Sequence, residues 1–245
     1  MRKIFIFFII MIFFLNLCSY SQNLSNKELF DQAKKVYDEK KYDQAINDYE
    51  KIISSGMNNS AVYYNLGNAY FKNKNISKAI KNYYKAIEIS PRDKDINQNL
   101  QIIKSKLRDL NRKEDSVFEK AAFKFNLNEW YIVSILFFVL SCFSVIIFFK
   151  YKNDLNMWFM IFSVLFLLIF GSFFIYRIMD NTNTYAVISS KAVLVKSGPG
   201  NDYTTSFELH EGTKIKILRT TGIWSEIEAF GSLRGWLKDN EIEKI

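Results

Sequence analysis

The stretch WYIVSILFFVLSCFSVIIFF, Trp130 to Phe149, is followed by Lys150-Tyr-Lys-Asn-Asp154 and then by LNMWFMIFSVLFLLIFGSFFIY, Leu155 to Tyr176. Neither apolar run contains a charged side chain. About 20 residues at 1.5 Å rise per residue make a helix of roughly 30 Å, the thickness of a bilayer's hydrocarbon core. Residues 130–149 and 155–176 are therefore expected to be two transmembrane helices. The short loop 150–154 returns the chain to the side it left. Everything before Trp130 and after Arg177 must then share one compartment. Trp130, Tyr131, Tyr151, Trp158 and Tyr176 fall near the expected water boundaries, the depth that amphipathic rings prefer.

The first residues set the direction of crossing. Met1-Arg2-Lys3 precedes the unbroken apolar run Ile4 to Leu15, and Ser19-Tyr20-Ser21 supplies small residues for cleavage. Residues 1–21 read as a signal peptide cut before Gln22, with lipidation at Cys18 and an uncleaved anchor as the alternatives. Export places both soluble parts on the periplasmic side of the inner membrane and the loop 150–154 in the cytoplasm. Lys150 and Lys152 against Asp154 agree with a cytoplasmic turn. Cys18 and Cys142 are the only cysteines, so signal cleavage leaves Cys142 alone, with no intrachain disulfide or thiol metal site. The formal charge of +8 is uneven: residues 22–125 hold 20 Lys and Arg against 14 Asp and Glu, whereas residues 183–245 hold eight of each. Such an excess suits a solvated surface, an acidic partner or anionic lipid headgroups; export argues against nucleic acid.

Within residues 22–112, Tyr63, Leu66, Gly67, Tyr70, Ala79, Tyr83, Ala86 and Pro91 occupy the offsets of a 34-residue helix-turn-helix unit. Tyr63, Leu66 and Tyr70 share one helical face, and Ala79, Tyr83 and Ala86 form the matching stripe on the next helix. Going back 34 residues puts Ala33, Ala45 and Tyr49 under Gly67, Ala79 and Tyr83. This pattern resembles the tetratricopeptide repeat family, with Tyr63 in place of the usual tryptophan. Two repeats are expected, 26–59 and 60–93, followed by an amphipathic capping helix carrying Ile96, Leu100, Ile103, Leu107 and Leu110. The resemblance implies a peptide-binding concave groove, lined at the family's positions by Phe30, Lys34, Tyr37, Tyr64, Asn65, Asn68 and Phe71. Lys78, Lys81 and Lys85 fall on the outer face of a second helix. A linker is expected over 113–129.

Past a second linker, 177–183, the period changes. Short runs Tyr185 to Ser189, Ala192 to Lys196, Lys214 to Leu218, Trp224 to Glu228 and Gly235 to Lys238 alternate with glycine-rich turns, which predicts a small closed barrel over 184–245. The succession Val193 to Pro199, Leu209 to Thr213, Trp224 and Gly235-Trp236 resembles the bacterial SH3-like domains, with Lys196 where that family often has arginine. The resemblance implies a binding module, and Trp224 and Trp236 are its candidate surface residues. His210, the only histidine, has no second imidazole with which to build a metal site.

No glycine-rich phosphate loop, zinc spacing or nucleophile pair occurs, so no catalytic, metal-binding or cofactor-binding residue is expected, and the chain reads as a non-enzyme. The fold class is multi-domain: an all-α tetratricopeptide-repeat solenoid, two transmembrane helices and a small all-β SH3-like barrel. That order of parts resembles the BatE family of the Bacteroides aerotolerance (Bat) group. The resemblance implies a membrane-anchored scaffold in an aerotolerance or stress-related envelope complex. Its partners would be von Willebrand A-domain membrane proteins and, indirectly, a MoxR-type ATPase. The alternative is a peptidoglycan-binding protein acting through the barrel.

Overall fold

The computed structural model describes residues 26–107 and 116–245. The expected signal segment, Cys18 and Leu110 lie outside the described residues. The chain divides into two compact units, residues 1–86 and 87–245.

The first unit is built from α1 (residues 26–38), α2 (Tyr42–Ser54), α3 (Ser60–Lys72) and the greater part of α4 (Ile76–Ile89). The Asn59 side chain starts α3 by accepting from the Ala61 amide at 2.8 Å, which satisfies one of the orphan donors of the first turn. Ala45, Tyr49 and Ile52 of α2, Leu66, Ala69 and Tyr70 of α3, and Ala79, Ile80 and Tyr83 of α4 are buried. The Tyr70 hydroxyl donates to Glu50, and Asn73 Nδ2 donates to Asp43 Oδ1 at 2.7 Å, so side chains of α2 tie down the C-terminal end of the neighbouring repeat's first helix.

The 34-residue period is geometric as well as compositional. After α1, the amides of Glu39, Lys40 and Lys41 donate to the carbonyls of Lys35, Tyr37 and Val36. Thirty-four residues on, those of Asn73, Lys74 and Asn75 donate to Ala69, Phe71 and Tyr70. Both turns pass through a left-handed lysine, Lys40 at φ 62° and Lys74 at φ 64°. A side chain there costs roughly 1–2 kcal/mol, which glycine avoids at some cost in unfolded-chain entropy. Lys40→Gly and Lys74→Gly should each raise the stability of the repeats by up to about 1 kcal/mol. Urea denaturation followed by helical circular dichroism measures it, and a loss of stability would refute the strain assignment.

The second unit contains α5 (Lys94–Lys104), α6 (Val117–Ala122), α7 (Leu127–Tyr151) and α8 (Asp154–Asn181). Ile96, Leu100 and Ile103 of α5 are buried as the stripe predicts. α7 and α8 are long and apolar enough to cross a membrane, and only 17% and 6% of their most apolar windows are buried, whereas a core helix of a soluble protein would be mostly enclosed. They exceed the expected spans because their ends are capped by polar groups. Asn126 and Glu129 form a reciprocal capping box at the start of α7, and Asn153 caps α8. Only Lys152, left-handed at φ 47°, and Asn153 lie outside the helices.

Small polar residues bring α7 and α8 together. Ser141, Ser144 and Ser163 are buried; Ser141 Oγ donates to the Ser163 carbonyl at 3.0 Å, and the Ser144 and Ser163 hydroxyls share a 2.6 Å hydrogen bond. For helices that span a bilayer, such contacts would supply part of the adhesion that the hydrophobic effect does not provide there. Phe137 stacks on Phe170 with centroids 4.7 Å apart, and Trp130 on Phe173 at 4.8 Å.

Both expected linkers carry helix. Within 113–129, Ser116 and Glu119 close a capping box that nucleates α6. Over 177–183 the helix continues to Asn181 because Arg177 is buried on it. The Arg177 guanidinium lies 4.4 Å from the Phe123 ring centre, and Nη1 donates to Asp180 Oδ2 at 3.4 Å. Asp180 Oδ1 in turn accepts from the Tyr185 hydroxyl at 2.6 Å, so only Thr182 and Asn183 separate α8 from the first strand. Burial, then the bond to Asp180, pushes the Tyr185 hydroxyl well above its usual pKa.

The remainder is one antiparallel sheet of β1 (Thr184–Ile188), β2 (Ala192–Lys196), β3 (Thr205–His210), β4 (Lys214–Thr221), β5 (Trp224–Ala229), β6 (Leu233–Lys238) and β7 (Ile242–Lys244), in the order β3-β2-β6-β5-β4-β1-β7. β3 and β7 are absent from the expected strands. β3 is an outer strand that fully buries only Leu209, and β7 has three residues, so neither shows a strong alternation.

The connections show that this sheet is rolled. β1 and β2 stand four places apart, about 19 Å in a flat sheet, yet three residues, 189–191, join them and reach at most about 15 Å. β6 and β7 are also four places apart and are joined by the single turn Asp239–Glu241. Ala186, Val193, Leu209, Ile215, Ile227, Leu237 and Ile242, one from each strand, accordingly meet in a single core.

Candidate functional site

The groove positions fall on α1 and α3, the first helices of the two repeats. Phe30 is half-buried with its ring edge-on to Tyr49 at 5.8 Å, and Lys34 is exposed one turn on. Tyr37 lies edge-on to Tyr42 at 5.5 Å. Burial pushes the Tyr37 hydroxyl above its ordinary pKa, with Tyr42, Tyr64 and Asp38 adding to the effect, so Tyr37 of α1 and Tyr64 of α3 are electrostatic neighbours. Tyr64 is half-buried, with its ring centre 6.0 Å from that of Tyr83.

The two asparagines differ. Asn68 Oδ1 accepts from the Tyr83 hydroxyl at 2.6 Å, which commits it to the packing of α4 against α3. Asn65 is half-buried, and among the described residues no hydrogen-bond partner is found for its side chain. An amide without a side-chain partner among the described residues offers both a donor and an acceptor to an extended backbone. Phe71, also half-buried, closes the α3 row. Six of the seven side chains are thus partly accessible and one is exposed; their chemistry is aromatic, amide and ammonium, suited to gripping a peptide rather than transforming one.

Asn68 shows what sequence periodicity leaves out. Its offset marks it as a groove position, but the tyrosine that captures it is 15 residues away on another helix. A sequence signal did exist: the same position in the first repeat is Lys34, and Gly67 is Ala33, so the two substitutions travel together.

The two tryptophans of the β domain lie beside cations. Trp236 is buried, with the Arg219 guanidinium 5.1 Å from a ring centre. Trp224 is half-buried, with Lys238 Nζ at 5.5 Å. Across the strands, Lys196, Trp236, Glu226 and Arg219 stand in register on β2, β6, β5 and β4, and Arg219 Nε donates to Glu226 at 2.5 Å. Trp236 is therefore enclosed among charged neighbours, whereas Trp224 keeps part of its ring accessible. His210 Nε2 lies 3.8 Å from Glu208 on the same strand. Among the described residues no three His, Cys, Asp or Glu side chains gather as a metal site.

Comparison with known proteins agrees with one part of this picture in particular. Residues 60–93, which are α3, α4 and the turn after them, match the tetratricopeptide repeat family. No curated protein matches the chain. Tetratricopeptide repeats are a non-catalytic fold of protein–protein interaction, which suggests an interaction role for the helical repeats of this chain.

Proposed function

We propose that the protein is a non-enzymatic scaffold held in the inner membrane by α7 and α8, with the repeats and the β domain on the periplasmic side. The repeat groove grips an extended segment of a partner protein. The observation that carries this reading is the row Phe30, Lys34, Tyr37, Tyr64, Asn65 and Phe71 on the first helices of successive repeats, with the Asn65 amide unpaired among the described residues. The order of modules supports a place in an envelope complex of the Bat type, beside von Willebrand A-domain membrane proteins and a MoxR-type ATPase. Lys34→Ala with Asn65→Ala removes two side chains that carry no core packing. Affinity for a purified von Willebrand A-domain partner should fall about tenfold, the loss of one to two net hydrogen bonds, with the helical melting curve unchanged. Unaltered affinity would overturn the groove assignment.

A second reading has its own support. The charges of Lys196, Glu226 and Arg219, in register around the buried Trp236 and with the half-buried Trp224 and Lys238 beside them, suit a polymer carrying both sugars and carboxylates, as peptidoglycan does. The order of turns and tryptophans supports an SH3-like binding module. Sedimentation of residues 183–245 with insoluble wall material tests it, and protein left wholly in the supernatant would remove it.

A further inference from the structure

We propose that residues 116–125 form a collar in the headgroup layer of the bilayer and bind phospholipid phosphates through Lys120 and Lys124. The proposal rests on the reading of α7 and α8 as membrane spans. α6 is held against their outer ends from both sides. Trp130 Nε1, on α7, donates to the Ala122 carbonyl at 2.8 Å. Phe118 stacks on Phe173 of α8 with centroids 4.6 Å apart, and it meets Tyr176 edge-on at 5.3 Å. Tyr176 is the boundary residue of its span, and Phe173 lies about 4.5 Å deeper along the helix. The collar therefore sits at the water boundary, continuous with the lipid-facing surface of the hairpin.

Two features at that depth call for lipid. Val117 is 85% exposed, and Phe118 and Phe123 are 40% exposed, although each is apolar. Water is a poor solvent for such a cluster, and the acyl-headgroup boundary is a good one. The acids around them are already committed. Glu119 caps α6 and accepts from Tyr176, Glu129 caps α7 and pairs with Arg92, and Asp180 holds Arg177 and Tyr185. Lys120 and Lys124 are exposed and have no anionic partner among the described residues. Their long stems can lie along the apolar cluster while the ammonium groups meet phosphates, and anionic lipids should be preferred.

The test uses the full chain with Cys18 and Cys142 replaced by alanine, reconstituted in nanodiscs of phosphatidylglycerol and phosphatidylcholine. A nitroxide is placed at Val117→Cys or, separately, at Phe143→Cys, a 61% exposed position in the middle of α7. The label at 117 should contact lipid, being more accessible to oxygen than to a water-soluble nickel complex. Lys120→Gln with Lys124→Gln should shift its bound-to-free ratio by about 25-fold toward water, roughly fivefold for each lysine. A label at 143 in hydrocarbon with a label at 117 in water would overturn the collar and leave the membrane reading intact. A label at 143 in water would overturn both. Lipid contact at 117 that ignores both lysines and phosphatidylglycerol would overturn the phosphate assignment.

Discussion

Gly235→Ala should unfold the β domain and leave the helical repeats untouched. A Cβ on Gly235 would stand 2.5 Å from Val195 Cγ1 and 2.7 Å from the Lys196 carbonyl oxygen, both far inside contact distance. The second obstacle is backbone, and it cannot retreat, because Lys196 is paired with Trp236 on one side and Thr205 on the other. Overpacking that moves backbone costs about 3 kcal/mol or more, and a domain of some 60 residues has only about 3–5 kcal/mol to lose. Hydrogen exchange on the full chain would show β2, β5 and β6 losing protection while α2, α3 and α4 keep theirs. Gly198→Ala is the control. A Cβ there would meet the Tyr203 ring at 2.4 Å, closer still, yet that ring is the half-exposed end of a flexible side chain and can swing into solvent. Its cost should stay below about 1 kcal/mol. Native exchange in Gly235→Ala would mean that β2 and β6 are not held as closely as described.

Gly67→Ala is expected to cost the repeats about 1–3 kcal/mol, although alanine occupies the same position one repeat earlier. The difference lies in what holds the tyrosine. A Cβ on Gly67 would lie 2.9 Å from two carbons of the Tyr83 ring and 3.3 Å from the Ala79 carbonyl oxygen. Tyr83 cannot lean away without losing the bond from its hydroxyl to Asn68. In the first repeat the corresponding residues are Ala33, Lys34 and Tyr49, and lysine makes no such demand on the tyrosine. Asn68→Lys should therefore relieve part of the cost of Gly67→Ala. The double variant should be more stable than the sum of the two single losses, a positive coupling that a urea denaturation cycle would measure. Strict additivity would show that Asn68 does not fix the ring.

The helical parts were the more legible in the sequence because each rests on a period that burial imposes. A stripe three and four residues apart survives in Leu66, Tyr70, Ala79 and Tyr83, and an uncharged run of about 20 residues survives in α7 and α8. The β domain was legible where strands bury alternate residues, as Val193 and Val195 do, and illegible at β3, whose outer position leaves most of its residues in water. α6 escaped notice because a six-residue helix has no period to read; its evidence was the single pair Ser116 and Glu119. Of the groove residues, local spacing identifies their helix and face, but the commitment of Asn68 to Tyr83 depends on how two helices approach, which spacing alone does not encode.

The short passage from α8 into β1 has a mechanical consequence. A tether of seven loose residues would act as a swivel, and a pull or twist on the β domain would be spent in the slack. With only Thr182 and Asn183 between helix and strand, and Tyr185 hydrogen-bonded to Asp180, the joint is short and braced. Torque applied to the rolled sheet reaches α8 directly and passes to α7 through Ser141, Ser144 and Ser163. A ligand seizing the β domain would therefore load the α7–α8 hairpin as a lever loads its fulcrum.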